Sequence, residues 1–549
     1  MLGEFELNKF IEPAPFDPSL VLPHGLKSDY VLLRDHLLAI TPSALKEHIP
    51  EIQRVSGTPF NNLLGGIVDC GTGLFLYAMG GTLAREFTAL TNIQRYALAA
   101  SPLLLGGVLR VVVAAIESDY GRGKEGIQTL LGTSLLGVTG IIILLSVNND
   151  FTTITINDWH YWLFLICNIL SGTGVAAYSA GMTLAAKAAP DDTAVDWSAR
   201  LSMLSAGLST KITPNFSERS CGQIVRKGPA EYMALVAGVS NLAPGLTLII
   251  SRSLLIPALG LRNTYIIFAA LTLCGMAATS ALTSNAVYDQ LLALNPQLTA
   301  EKSKILAQWM GQTLFSPPAT LFQTLLTLNA VERNEIALAC INYTTTFGLL
   351  TAITTTGLLT LVSRGMQTTE ATLTIAGVSL ISSALRGLLS IHSCSLSPNT
   401  ITNVSLLTML VSGFVFALSP DQKLWTAMLY VFAVANGAGN FSIIAQIAQK
   451  VPDKVGLATG LSSGLAAFSA FPISIAFAWL ASYNRVISTS DSGVEQTDTA
   501  IQYILATAMC AASLIANLGP TVKDYVCNQF FSRIASDDLE SNNIRSISM

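Results

Sequence analysis

The stretch LLLGGVLRVVVA (103–114) carries one arginine, Arg110, in an otherwise apolar run. A second stretch, SLISSALRGLLS (379–390), repeats the pattern around Arg386. The two arginines are 276 residues apart (386 − 110), about half of the 549-residue chain. The repeat predicts that the chain consists of two similar halves.

A second pair of stretches supports this duplication. GTGVAAYSAG (172–181) in the first half has a counterpart in GAGNFSIIAQ (437–446) in the second, at an offset of 265 residues (437 − 172). Each half therefore contains one stretch of each pair, and the two stretches come in the same order in both halves.

The composition excludes a soluble globular enzyme. Hydrophobic residues make up 51% of the chain and charged residues only 12%, against roughly a quarter charged in soluble proteins. The formal net charge of −4 also lacks the basic character of nucleic-acid binding proteins. A helix of about 20 apolar residues crosses a bilayer, so the composition indicates a multi-pass, all-α membrane protein.

Apolar stretches of this length predict twelve transmembrane helices in two pseudo-symmetric six-helix halves. The predicted spans lie near 60–84, 94–116, 126–147, 161–186, 230–255, 263–284, 335–363, 371–393, 402–419, 424–448, 455–481 and 500–518. The halves cover 59–284 and 335–518, and the polar parts are an N-terminal segment 1–58, a loop insertion 187–229, a central loop 285–334 and a tail 519–549.

The positions of lysine and arginine predict the orientation, since cytoplasmic loops retain positive charge. With the N-terminus inside, 21 of these residues fall in cytoplasmic segments and seven on the other side. We therefore expect the chain to lie in an inner or plasma membrane, with both termini in the cytoplasm.

Arg110 and Arg386 are the strongest functional signal. A charge at the centre of a spanning helix costs roughly 2.5–3.5 kcal/mol, so it needs a reason. One alternative is a structural ion pair with Asp69, the obvious acid within a span. The other is a binding site, because two guanidinium groups from facing halves would meet at a central cavity and hold a small oxyanion.

Polar and small residues in other spans have two interpretations. The glycines of GTG (172–174) and GAGN (437–440) fit close packing between helices. Asn241 and Asn440 need hydrogen-bond partners in a membrane interior. They either orient a substrate or join helices.

These residues and motifs resemble the nitrate/nitrite porters of the major facilitator superfamily, over about 60–518. The motifs are PLLLGGVLR before SDYGRGK (118–124), GTGVAAYSAGM, AEYMALVAGVSNLAPG, INYTTTFG, SSALRG and the nitrate-signature-like GAGNFSIIAQIAQKVPDKVGLATGLSSG. The resemblance implies the major facilitator fold and nitrate or nitrite transport.

The resemblance also implies which residues bind substrate. The matching positions are Arg110, Arg386, Tyr343, Phe347, Tyr178, Asn241, Gly439, Asn440 and Ser442. Phe347 follows Tyr343 by four residues, so an aromatic stripe on one helix face is the alternative for it. The chain departs from the family pattern at Phe441, where a small glycine is usual, and in IHSCSLSPN (391–399), which lacks the usual acid.

Asp69 is a possible ion-coupling residue. A buried carboxyl group either carries a proton or forms a fixed salt bridge. Coupling to a proton and exchange against a counter-anion both stay open at this point.

The sequence therefore predicts a secondary transporter for nitrate, nitrite or a similar small anion, working by alternating access in the lipid bilayer. Alternatives are transport of another anionic solute, such as an organic acid or siderophore, and a sensor or scaffold on a transporter fold. The five histidines lie mostly in loops, and no cluster has metal-ligand spacing. We expect no catalytic residue, metal, cofactor or nucleic-acid partner.

Overall fold

The computed structural model describes most of the predicted spans. The described residues are 58–120, 123–147, 153–179, 181–182, 229–282, 328–391, 397–451, 455–489 and 495–519. The N-terminal segment, the tail and nearly all of both long loops lie outside them.

Helices dominate the described residues. Those of the first half are α1 (Thr58–Glu86), α2 (Asn92–Ala100), α3 (Pro102–Tyr120), α4 (Gly123–Val147), α5 (Trp159–Ser171), α6 (Pro229–Ser240), α7 (Leu242–Ile249) and α8 (Ile256–Leu282). Those of the second half are α9 (Ala330–Tyr343), α10 (Leu349–Ser363), α11 (Thr368–Ile391), α12 (Pro398–Leu418), α13 (Gln422–Lys450), α14 (Val455–Ala481) and α15 (Gln502–Gly519). Two short strands, β1 (Val486–Thr489) and β2 (Glu495–Thr497), precede α15.

Ten stretches among the described residues are long and apolar enough to cross a membrane. One of them, Tyr232–Thr279, has 48 residues, which is about 72 Å of helix and more than twice the hydrocarbon core. Its backbone leaves the helical region at Gly260, with φ of +79°, so its length suits two crossings. The chain is an integral, multi-pass membrane protein, while the full count of twelve spans stays a prediction.

Large apolar side chains also face outward, as a lipid environment requires. Leu136 is 70% exposed, and Val411 and Phe414 are each about half exposed on one helix. In water such a surface would be unfavourable, but lipid chains solvate it.

The second predicted span is broken between α2 and α3. Pro102 has no backbone N–H and cannot continue the helical hydrogen bonds. The Asn168 side chain of α5 donates to the Leu98 carbonyl at 2.7 Å and to the Ser101 hydroxyl at 3.0 Å. A neighbouring span therefore satisfies the backbone that the proline frees.

The seventh predicted span begins earlier than expected, at Ala330 instead of 335. Asn329 and Glu332 form a capping box in which each side chain accepts from the other residue's backbone N–H, at 2.8 Å and 2.9 Å. A capping box can start a helix within polar sequence. Span boundaries that are placed from apolar residues alone therefore miss this helix start.

A β-hairpin between α14 and α15 was not predicted. Its strands pair antiparallel, with Val486 opposite Thr497. Arg364, just after α10, donates to the carbonyls of Phe416 at 2.7 Å and Asp498 at 2.9 Å. The arginine thereby joins the ends of α10 and α12 to the segment after β2.

Glycines let the two halves approach closely at several helix pairs, among them α3 with α14 and α6 with α11. A Cβ atom on Gly107 of α3 would lie 2.4 Å from the backbone nitrogen of Phe468 on α14. A Cβ atom on Gly238 of α6 would lie 2.5 Å from the backbone nitrogen of Gly387 on α11. Only glycine permits these backbone contacts between halves.

Candidate functional site

Both mid-span arginines lie inside the protein. The Arg110 side chain, on α3, is 0% exposed, and that of Arg386, on α11, is 2% exposed. Neither side chain therefore reaches the lipid-facing surface or a helix end.

Arg386 is held by two tyrosine hydroxyls. One terminal nitrogen, Nη1, donates to the Tyr178 hydroxyl at 2.8 Å, and the other, Nη2, donates to the Tyr343 hydroxyl. Tyr178 follows the 3₁₀ turn Gly172–Ala176 in the first half, whereas Tyr343 ends α9 in the second. Side chains of both halves therefore meet at Arg386.

Arg110 is held by main-chain carbonyls. Its Nε donates to the Val175 carbonyl at 2.9 Å, and Nη1 donates to the Ser463 carbonyl of α14 at 3.4 Å. The same guanidinium lies over the Tyr178 ring, 4.6 Å from its centroid, and over the Phe347 ring at 5.1 Å. Arg110 thus contacts the second half through both Ser463 and Phe347.

Three aromatic rings link the two arginines. Phe347 stacks on Tyr343 with ring centroids 5.3 Å apart, and on Tyr178 at 5.9 Å. The planes are within about 12° of parallel in each pair. Because Tyr178 contacts both arginines, the two cations converge on one aromatic stack, which we call the arginine–aromatic centre (Arg110, Arg386, Tyr178, Tyr343 and Phe347).

Asn241 joins this centre from the first half. It lies between α6 and α7, and its side-chain amide donates to the Tyr178 hydroxyl at 3.0 Å and to the Ala237 carbonyl at 2.6 Å. The amide therefore positions the tyrosine that Arg386 contacts.

The predicted residues of α13 are connected to the centre less directly. The Asn440 amide donates to the Asn436 side chain at 2.8 Å. Asn436 accepts from Ser382, one turn before Arg386 on α11, and donates to the Thr346 carbonyl. Asn440 is therefore two hydrogen bonds away from α11.

Gly439 and Ser442 pack between helices in the second half. A Cβ atom on Gly439 would lie 3.2 Å from Ser405 and from Thr346. The Ser442 hydroxyl hydrogen-bonds to that of Thr402 at 2.7 Å. In the described residues these two positions contact α12 and the turn after α9, and not the arginines.

Asp69 lies on α1, outside the five residues of the arginine–aromatic centre. It is fully buried on α1, and its hydrogen-bond partner is Thr279 of α8. This hydrogen bond joins α1 to α8, and an ion pair between Asp69 and the arginines stays a prediction. The neighbouring residue, Cys70, donates to the Tyr178 carbonyl at 3.2 Å.

Several residues around the centre were not predicted. Val175 and Ser463 act through backbone carbonyls, which have no signature in a sequence. The Ser463 hydroxyl also hydrogen-bonds to that of Ser179 across the halves at 2.8 Å. Asn436 could have been found from its i, i+4 spacing to Asn440.

The guanidinium groups of the centre donate to tyrosine hydroxyls and main-chain carbonyls that come from both halves. Within the described parts of the chain, no three His, Cys, Asp or Glu side chains lie together in a way that could bind a metal ion.

The fold is similar to that of solved sugar transporters. The xylose transporter XylE from E. coli, in a partially occluded inward-open conformation, is 14% identical, with a TM-score of 0.52, over 84% of this chain and 98% of that one. A D-xylose-proton symporter is also 14% identical, with a TM-score of 0.51, over 84% and 97%. No protein-family model and no curated protein sequence matches the chain. The chain therefore has the fold of the major facilitator transporters, with two halves that meet around a buried arginine pair.

Proposed function

We propose that this protein is a secondary transporter for nitrate, nitrite or a similar small anion. The observation that carries the proposal is the pair of buried arginines, one from each half, on a shared aromatic stack. The sequence motifs that resemble the nitrate/nitrite porters support the same substrate class.

The charge of the centre favours an anionic substrate. Arg386 donates to two neutral hydroxyl groups, which solvate a cation but do not neutralise it. A buried charge without a counter-charge is costly. An anion that enters between the halves supplies that counter-charge.

The geometry favours a small anion. Tyr178 contacts both arginines, so a ligand that touches both guanidinium groups fits beside a single ring. A planar oxyanion also matches the donor fork of arginine and can lie flat against an aromatic face. A larger organic acid would require the stack of Tyr178, Phe347 and Tyr343 to open.

Alternating access follows from where the contacts lie. Arg110 of the first half donates to the Ser463 carbonyl of the second, and Tyr178 of the first half accepts from Arg386 of the second. The glycines at the α3–α14 and α6–α11 contacts carry no side chains, so one half can rotate against the other without side-chain clashes at these positions. A bound anion would join the halves, and its release would let the centre separate.

The orientation is also part of the proposal. The excess of lysine and arginine in the predicted cytoplasmic segments supports cytoplasmic termini in an inner or plasma membrane.

The test is counterflow in proteoliposomes loaded with unlabelled nitrate and exposed to labelled nitrate. We expect transient accumulation of label that external nitrite competes for and xylose does not. Absence of counterflow, or stronger competition by a large organic acid or a siderophore than by nitrite, would overturn the assignment to small anions.

A further inference from the structure

A π turn carries Phe347 into the arginine–aromatic centre. The turn spans Thr344–Gly348, between α9 and α10, and its residues after Thr344 are buried. A π turn contains one residue more than a turn of α-helix, so it rotates the side chains that follow by about 100° relative to a regular helix. The direction of the Phe347 ring therefore depends on whether this turn is kept.

The turn is held from α13 by the Asn436 side chain. Asn436 is completely buried, and its amide donates to the Thr346 carbonyl at 2.7 Å. Thr346 directly precedes Phe347. A neighbouring helix can stabilise a local π distortion in a membrane span by binding its backbone groups. Asn436 therefore supports the turn at the residue before the ring.

The same side chain also binds α11, which carries Arg386. Its carbonyl oxygen accepts from the Ser382 hydroxyl at 3.0 Å, and Ser382 lies one helical turn before Arg386. The two helices are in backbone contact here, since a Cβ atom on Gly437 would lie 2.4 Å from the Ser382 carbonyl oxygen. One buried amide thus fixes the backbone before Phe347 relative to the helix of Arg386.

The other side of the turn packs directly on α14. A Cβ atom on Gly348 would lie 2.9 Å from the Ala466 carbonyl oxygen. The turn is therefore held between α13 and α14. Phe347 can shift only if this backbone contact or the hydrogen bond from Asn436 loosens.

The position of the Phe347 ring sets the space beside the arginines. The ring stacks on both tyrosines of the centre, and the Arg110 guanidinium lies 5.1 Å from its centroid. A planar oxyanion needs only the thickness of a flat group beside such a ring. A tetrahedral oxyanion has oxygen atoms outside any plane through its centre and needs more room. A ring that is fixed in place therefore favours the planar anion.

We propose that Asn436 is a positioning residue that makes the centre selective for planar over tetrahedral oxyanions, because it fixes the π turn of Phe347 against the helix of Arg386. This inference rests on the proposed function. Asn436 acts through the turn and does not touch the anion. Its loss lets the turn relax and the ring shift, which weakens the fit of nitrate and admits a tetrahedral anion of the same charge.

The experiment measures uptake of labelled nitrate by the full chain in proteoliposomes, with perchlorate as the tetrahedral, monovalent competitor. In the unmodified protein, perchlorate inhibits only at concentrations well above the KM for nitrate. In Asn436→Leu, which keeps a side chain of similar volume, the KM for nitrate rises and the inhibition constant of perchlorate falls. The ratio of the two constants narrows by about tenfold, the size of effect that a small change in pocket shape produces, while kcat changes little.

Two further variants separate positioning from general stability. Ser382→Ala removes only the hydrogen bond between Asn436 and α11, and it narrows the ratio in the same direction but by less. Asn168→Leu is the matched control, since it also removes a buried amide with two hydrogen bonds, but at the break between α2 and α3. It lowers the Tm in detergent, as Asn436→Leu does, and leaves the ratio unchanged.

The outcomes separate this inference from the proposed function. Absence of nitrate uptake by the unmodified protein contradicts the proposed function. Nitrate uptake with an unchanged ratio in Asn436→Leu overturns the positioning role alone, and so does an equal change of the ratio in Asn168→Leu. If Asn436→Leu cannot be purified in folded form, Ser382→Ala decides, because an unchanged ratio there overturns the proposal and a narrowed one supports it.

Discussion

Arg110 and Arg386 occupy equivalent places in the two halves, but they are held by different kinds of group. Arg110 donates to main-chain carbonyls of Val175 and Ser463, whereas Arg386 donates to the hydroxyls of Tyr178 and Tyr343. A helix carbonyl moves only with its helix, but a tyrosine side chain can rotate. We infer that Arg110 is the fixed cation of the centre and Arg386 the adaptable one.

Removing either cation has the largest expected effect. Arg110→Ala and Arg386→Ala each lose a charge that would pair with the anion inside the protein. Truncating one partner of such a buried pair costs about 2–5 kcal/mol, or roughly thirty- to several thousand-fold in affinity. Uptake of labelled nitrate is expected to fall to background while membrane insertion, followed by immunoblot of the membrane fraction, is unchanged.

Near-normal uptake by either alanine variant would remove that arginine from the site. If only Arg386→Ala lost transport, the two halves would not share the anion as proposed.

The tyrosine partners of Arg386 come next. Tyr178→Phe and Tyr343→Phe each remove one hydrogen bond to a charged group, which is worth about 1.5–3 kcal/mol. We expect the KM for nitrate to rise about tenfold or more. Tyr265→Phe is the matched control, because its hydroxyl contacts the Met79 carbonyl instead of an arginine. An unchanged KM in both test variants would argue that Arg386 does not depend on its hydroxyl partners.

The two predicted asparagines should differ in effect. Asn241 contacts Tyr178 directly, whereas Asn440 contacts Asn436. Asn241→Ala removes a neutral hydrogen bond of about 1 kcal/mol at the centre, so its KM should rise about fivefold. Asn440→Ala should raise KM less. The reverse order, measured in the same uptake assay, would mean that α13 binds the anion more directly than Asn241 does.

The sequence predicts the cations and the aromatic residues of the centre better than it predicts what holds them. Arg110 and Arg386 are visible because a charge within an apolar run is costly, whereas Tyr343 and Phe347 were predicted from the resemblance to the nitrate/nitrite porters. The carbonyls of Val175 and Ser463 are invisible, since every residue has one and only the packing decides which faces an arginine. Residue type alone also does not reveal that Asp69 pairs with Thr279, 210 residues away.

In the fold, likewise, some elements were predicted from the sequence and others were not. Apolar length predicted where the helices lie, because each span must match the membrane. The β-hairpin escaped this reasoning, since its strands have only four and three residues.

The smallest effect on transport is expected at a third arginine. Arg364 lies over the Trp425 ring, 4.6 Å from its centroid, and donates to the carbonyls of Phe416 and Asp498. Burial lowers its pKa to about 10, so it stays charged at neutral pH. Arg364→Gln should reduce stability by about 1–3 kcal/mol, seen as a lower Tm in detergent, with an unchanged KM for nitrate. A raised KM at normal Tm would place Arg364 in the transport pathway.

The most direct measurement is calorimetric titration of the detergent-solubilised protein with sodium nitrate. The unmodified protein and Arg364→Gln should show saturable binding, whereas Arg110→Gln and Arg386→Gln should show none at the same protein concentration. Equal binding of nitrate by all four proteins would contradict the claim that the two buried arginines hold a shared anion.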